Sequence, residues 1–174
     1  MLMVAQKENR IDFGVVASGE KLPFLDNTFD LLYCRSALHY MNVEKALREW
    51  VRVTKDGGWI INSDVSYERE ELNDWYRPVL KAIFDDWDLV PHQKIIDTFH
   101  ALGQERTDIK IHMIQGSLND LLERKHVSAE RTHAVRKLFS DTPEHIKKEL
   151  RIENKDGDYL FDFGLAVARC HVKK

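Results

Sequence analysis

His39 and Tyr40 stand just beyond an apolar run, Asp30 to Arg35, and Asp64 stands just beyond another, Trp59 to Asn62. An imidazole in such a place has the chemistry of a general base, because histidine exchanges its proton near neutral pH. It is also a good packing residue, and the sequence leaves both roles open for His39. Tyr40 can face a substrate, and Asp64 can orient a substrate hydroxyl or cap the segment that follows. Arg35 and Ser36 are either ligand contacts or solvated strand ends. Glu20, following Ser18-Gly19, is either a pocket carboxylate or a solvated loop glutamate. Farther along, Trp75, Tyr76, Phe84 and Trp87 recur at helical spacing, which suits the wall of an apolar substrate pocket and equally suits a core. No metal site is expected: His126 and His133 lie off the i, i+3 or i, i+4 spacing of helical ligand pairs. Cys34 and Cys170 are isolated, form no CxxC pair, and read as small buried hydrophobes. There is no GxSxG elbow and no Walker-type phosphate loop.

The elements that must hold these residues follow from the pattern. Ile11 to Val16 and Asp30 to Arg35 read as buried strands, and Trp59-Ile60-Ile61 as a third. Asn42 can cap a helix from Val43 to about Thr54, with Gly57-Gly58 as its stop. Strand, loop, strand, helix, strand is the rhythm of an α/β domain with parallel strands, in which ligands sit at the carboxyl ends. From Tyr67 on, a helical stripe interrupted by Pro78 predicts a kink or two abutting helices. Pro91 opens a further helix closed by Gly103; Ser117, Ser128 and Thr142-Pro143 look like helix starts. Ile109, Ile111 and Met113 alternate as a strand does, and so do the residues from Tyr159 to Val167. The division expected is a partial α/β core over 1–66 and 151–174, with a mostly helical lid over 67–150 that holds one strand at 107–114.

Composition narrows the class. The chain has 174 residues, 26 Lys+Arg against 29 Asp+Glu, 43% hydrophobic and 32% charged residues, which fits one globular domain. The formal charge of -3 argues against a general nucleic-acid or acidic-lipid binder. No apolar run approaches the roughly 18 residues that span a bilayer. No membrane partner and a cytoplasmic location are expected, since two lone cysteines make no secreted disulfide framework.

Four ordered motifs between Ile11 and Asp64 carry a resemblance: Gly19-Glu20-Lys21-Leu22-Pro23-Phe24, Asn27-Thr28-Phe29-Asp30, Leu38-His39, and Glu49-Trp50-Val51-Arg52-Val53-Thr54-Lys55-Asp56-Gly57-Gly58. This segment resembles the second half of the catalytic domain in class I S-adenosylmethionine-dependent methyltransferases, within the small-molecule group that includes the ubiquinone/menaquinone methylases. The resemblance implies a Rossmann-like α/β sheet and S-adenosylmethionine as methyl donor. It also implies donor contacts at Ser18, Gly19, Glu20, Leu22 and Arg35, and acceptor contacts near Tyr40, Asp64, Trp75 and Tyr76, with His39 as candidate base.

The departures shape the functional expectation. The family's first strand, its glycine-rich turn and its ribose-holding acid have no counterpart in residues 1–10, and the adenine-contacting acid aligns with Ser18. An incomplete sheet is therefore expected, with Asp30–Arg35 left as an apolar open edge. Either a partner chain finishes that edge, or Ile11–Val16 moves in beside it. The leading expectation is one subunit of a split methyltransferase for a small, fairly apolar molecule. A methyltransferase-like partner chain would supply the missing strands and glycine loop, so that S-adenosylmethionine binds only to the pair. The alternatives are a catalytically inactive methyltransferase-like protein that stabilises or regulates a partner, and a fragment of a longer chain.

Overall fold

The computed structural model describes residues 7–8, 12–84 and 87–174. Five strands form one mixed sheet: β1 (Phe29–Arg35), β2 (Thr54–Val65), β3 (Thr107–Ser117), β4 (Glu153–Lys155) and β5 (Asp158–His171). The spatial order is β1-β2-β5-β3, with β4 on the remaining stretch of β5. Only β1 and β2 are parallel; β5 runs antiparallel to β2, β3 and β4. Among the described residues, six α-helices of more than one residue join them: α1 (Val43–Val53), α2 (Glu70–Ile83), α3 (His92–Ala101), α4 (Leu118–Arg124), α5 (Ala129–Ser140) and α6 (Glu144–Glu149).

Local chemistry sets most of these boundaries. The Asn42 carboxamide accepts the Lys45 N–H at 3.0 Å and starts α1; Ser117 and Ser128 do the same for α4 and α5. Pro91 precedes α3, and α2 runs on through Pro78 as one helix. The glycine pair corrects the sequence reading. Helix α1 ends at Val53, and Gly57 and Gly58 lie inside β2, where the pairing with β1 slips between Phe29 and Leu31. Gly57 has φ +75°, and a Cβ on Gly58 would stand 2.7 Å from Thr54 Cγ2 and 3.0 Å from the Asp30 carbonyl oxygen. The pair makes a bulge that glycine alone fits.

Two cores flank β5. Leu38, Leu47, Trp50, Ile60, Phe99 and Cys170 pack under α1 and α3. Tyr67, Tyr76, Leu80, Phe139 and Phe161 pack within the cap formed by α2, α4, α5 and α6. Burying each large side chain contributes about 1.5–3 kcal/mol, so both clusters are substantial.

The expected first strand is not formed. Ile11 lies outside the described residues, and residues 12–17 have no strand pairing. Phe13 and Val16 are 90% and 89% exposed. A β-branched run becomes a strand only where an edge receives it, and β1 pairs with β2 alone among the described residues. The alternative in which Ile11–Val16 moves beside β1 is thus not adopted by the residues described. Along β1, Leu32 and Cys34 turn toward the first core, whereas Leu31 and Tyr33 remain 55% and 59% exposed.

Candidate active site

Because β1 and β2 are parallel, their carboxyl ends lie side by side, with Cys34 opposite Asn62 and Arg35 opposite Ser63. Just past the first end, a 3-10 turn over Leu38–Tyr40 carries His39 inward. Near the second end stands Asp64. His39 Nδ1 and Asp64 Oδ2 are 2.8 Å apart, with the two side chains only 1% and 5% exposed. A carboxylate can only accept, so Nδ1 bears the hydrogen and Nε2 is the lone-pair nitrogen of the neutral ring. The other carboxylate oxygen accepts the Val65 N–H at 2.9 Å. Both Asp64 oxygens are therefore engaged, one by the imidazole and one by the backbone that follows, where the sequence had left a substrate hydroxyl and a cap as alternatives. Nε2 is buried and has no hydrogen-bond partner among the described residues. Over the ring lies the indole of Trp87, stacked at 3.9 Å and 6°. Tyr40, 58% exposed, leans on the same imidazole at 4.1 Å. Burial, aided by the negative charge of Asp64, pushes the Cys34 thiol up to about 11 and keeps it protonated.

The loop expected to contact the donor is tied down within the chain. The Ser18 carbonyl accepts the Lys21 N–H at 3.0 Å, and its hydroxyl accepts the Glu20 N–H at 3.2 Å. The Gly19 carbonyl accepts the Trp50 indole N–H at 3.0 Å. Glu20 Oε1 accepts the Asn42 N–H at 2.7 Å, fastening the loop to the start of α1. The Leu22 N–H donates to Glu49 Oε1 at 2.7 Å. Arg52 completes the brace by donating to Asp26, to the Leu22 carbonyl and to Glu49. Its guanidinium holds the Glu49 carboxyl below the usual range, against an opposing push from burial. The sequence carried a sign of this brace, since Glu49 and Arg52 sit three apart on one helix face. Their partners in the loop were not legible from spacing.

Of the other expected contacts, Arg35 is exposed at the end of β1. Trp75 turns away from the site: its indole donates to Thr142 at 3.1 Å and its ring meets Phe139, joining α2 to α5. Tyr76 lines a cavity of about 510 Å³ between the cap and the ends of β3 and β5, together with Leu80, Phe84, Trp87 and Phe163. Trp87 was visible in the aromatic stripe; its stacking on His39 is a contact between residues far apart in sequence and was not. No cluster of three or more potential metal ligands occurs among the described residues.

S-adenosylmethionine can be tested against this geometry. The resemblance places a nucleobase against the Ser18–Leu22 loop, which packs on Met41, is tied to Asn42 and turns Leu22 toward the first core. A glycine-rich turn for the methionine end and an acid for the ribose hydroxyls are not found among the described residues.

Comparison with known proteins agrees with the geometry. Residues 1–62 match a family described as a methyltransferase domain. The chain is 37% identical over 81 residues to the malonyl-[acyl-carrier protein] O-methyltransferase of Buchnera aphidicola, a match covering 45% of this chain and 33% of that protein. Across the curated relatives matched, the chain spans between about a quarter and a third of their length. Among solved structures, YcgJ of Bacillus subtilis superposes with a TM-score of 0.88 at 18% identity, covering 99% of this chain and 76% of that one. A SAM-dependent methyltransferase of Thermotoga maritima gives 0.60 at 17% identity, covering 99% and 69%. The chain has the fold of these methyltransferase structures, and its residues 1–62 resemble the methyltransferase-domain family.

Proposed function

We propose that this chain is the acceptor-side subunit of an S-adenosylmethionine-dependent methyltransferase acting on a small molecule. In this reading a partner chain supplies the glycine loop, the ribose-binding acid and the strands that continue the sheet beyond β1. The observation that carries it is the edge of β1 that no described residue pairs, beside a loop that the resemblance places at the donor. Unpaired strand backbone next to exposed Leu31 and Tyr33 invites strand addition, and covering each side chain would contribute about 1.5–3 kcal/mol. The two free cysteines fit a cytoplasmic setting.

The chain's own contribution is positioning and proton handling. S-adenosylmethionine supplies an electrophilic methyl group. The Ser18–Leu22 loop borders its nucleobase, with Arg35 exposed at the adjoining strand end. Asp64 fixes the His39 tautomer, and Nε2 takes a proton from an acceptor O–H or N–H when Trp87 swings aside. Positioned bases of this kind contribute about 10²–10⁴-fold to rate, and holding the reactants in line contributes more.

A specific observation favours the second reading, an inactive stabilising or regulatory partner. Ser18 replaces the acid, and the loop's polar groups are engaged inside the chain. One experiment separates the readings. The tagged chain is purified from its native cell with its bound partner, and transfer of a labelled methyl group is measured for the pair and for each chain alone. Transfer by the pair that disappears with His39→Asn supports the subunit reading. Transfer unaffected by that variant supports the inactive partner. The mass of the native polypeptide decides whether the added strands arrive in trans.

A further inference from the structure

The cavity under the helical cap has three properties that together specify a ligand. It is large enough for a two-ring molecule, at about 510 Å³. Its walls are aromatic and aliphatic: Tyr76, Leu80 and Phe84 on one side, Phe163 and Val65 on the other, with Trp87 at one end. Its charged residues, Asp120 and Arg124, neutralise each other in an exposed pair at 3.1 Å. A charged ligand would lose hydration there and gain no counter-charge.

One donor on these walls is unanswered, and a phenol shares the same lining. The Trp87 indole Nε1 is buried and has no hydrogen-bond partner among the described residues. Tyr76 lines the cavity and is 3% exposed. Burial drives the ionisation of that phenol upward, so it stays an O–H donor. A buried donor without an acceptor is destabilising, and a bound oxygen would relieve it. The same Trp87 ring stacks on His39, so one side chain separates this cavity from the His39–Asp64 pair.

We propose that this cavity binds an uncharged, ring-bearing molecule presenting a carbonyl- or ether-type oxygen to Tyr76 and Trp87, and that this molecule is the methyl acceptor. The last clause rests on the methyltransferase reading; the binding itself does not. Acceptors that are charged, such as free amino acids or nucleotides, are disfavoured by the same walls.

The test is calorimetry on the full 174-residue chain with three probes: naphthyl methyl ketone, ethylnaphthalene and naphthoate. The ketone is expected to bind, and naphthoate at least about tenfold more weakly. Tyr76→Phe is expected to weaken the ketone about threefold to tenfold and leave ethylnaphthalene unchanged. Leu121→Trp, which fills the cavity from α4, is expected to abolish binding of both. No ketone binding, equal effects of Tyr76→Phe on ketone and hydrocarbon, a preference for naphthoate, or binding unaffected by a folded Leu121→Trp chain would each overturn the proposal. If Leu121→Trp does not fold, the Tyr76→Phe comparison decides alone. Methyl transfer by the completed enzyme to a charged acceptor would remove this ligand class and leave the methyltransferase reading standing. Probe binding as described, with no donor binding by the completed pair, would do the reverse.

Discussion

At the scale of single residues, the account turns on His39, Asp64 and the brace at Glu49. Substituting Asp64 by Asn keeps the shape but lets the amide donate to Nδ1, which turns the lone pair away from Nε2. The completed enzyme carrying Asp64→Asn is expected to lose kcat with KM nearly unchanged, and His39→Asn to lose about 10²-fold or more, both read by steady-state kinetics. The Glu49–Arg52 pair makes a prediction in pH. The folded-state pKa of Glu49 lies below its usual value because Arg52 hydrogen-bonds to it. Its contribution to stability is therefore complete above the ordinary glutamate pKa of about 4.3 and disappears as pH falls through the lower folded value. Melting curves of Glu49→Gln against the parent chain should differ at pH 7 and converge as pH falls through the lowered folded-state value of Glu49. Sequence alone exposed the types of these residues but not their partners. His39 and Asp64 were each singled out; that one holds the other depends on two strand ends being adjacent, which no local pattern encodes.

Among elements, the bulge in β2 and the free edge of β1 matter most. Gly58→Ala puts a methyl 3.0 Å from the Asp30 carbonyl oxygen, so β1 must shift or the bulge must open. Overpacking of this kind costs about 1–3 kcal/mol, to be read from urea denaturation. Helices were the legible part of the chain, because their caps are local: Asn42, Ser117 and Ser128 each accept the N–H three residues on. The strand expected at Ile11–Val16 failed for the opposite reason. A strand is defined by its neighbour, and Phe13 and Val16 stay exposed and pair with none among the described residues, although the edge of β1 is unpaired among them. Gly57-Gly58 misled in a related way, since a helix stop and a strand bulge both demand glycine.

For the whole molecule, the mixed order β1-β2-β5-β3 and the helical cap bring the cavity, the His39–Asp64 pair and the Ser18–Leu22 loop into one chain. In the proposed reading the methionine and ribose contacts come from a partner chain. The edge of β1 that no described residue pairs would seat it. Donor affinity tests this reading most directly, by calorimetry with S-adenosylmethionine on the isolated chain and on the chain purified with its partner. The account predicts no measurable or millimolar binding to the chain alone and tight binding to the pair. Micromolar binding by the isolated chain would contradict it.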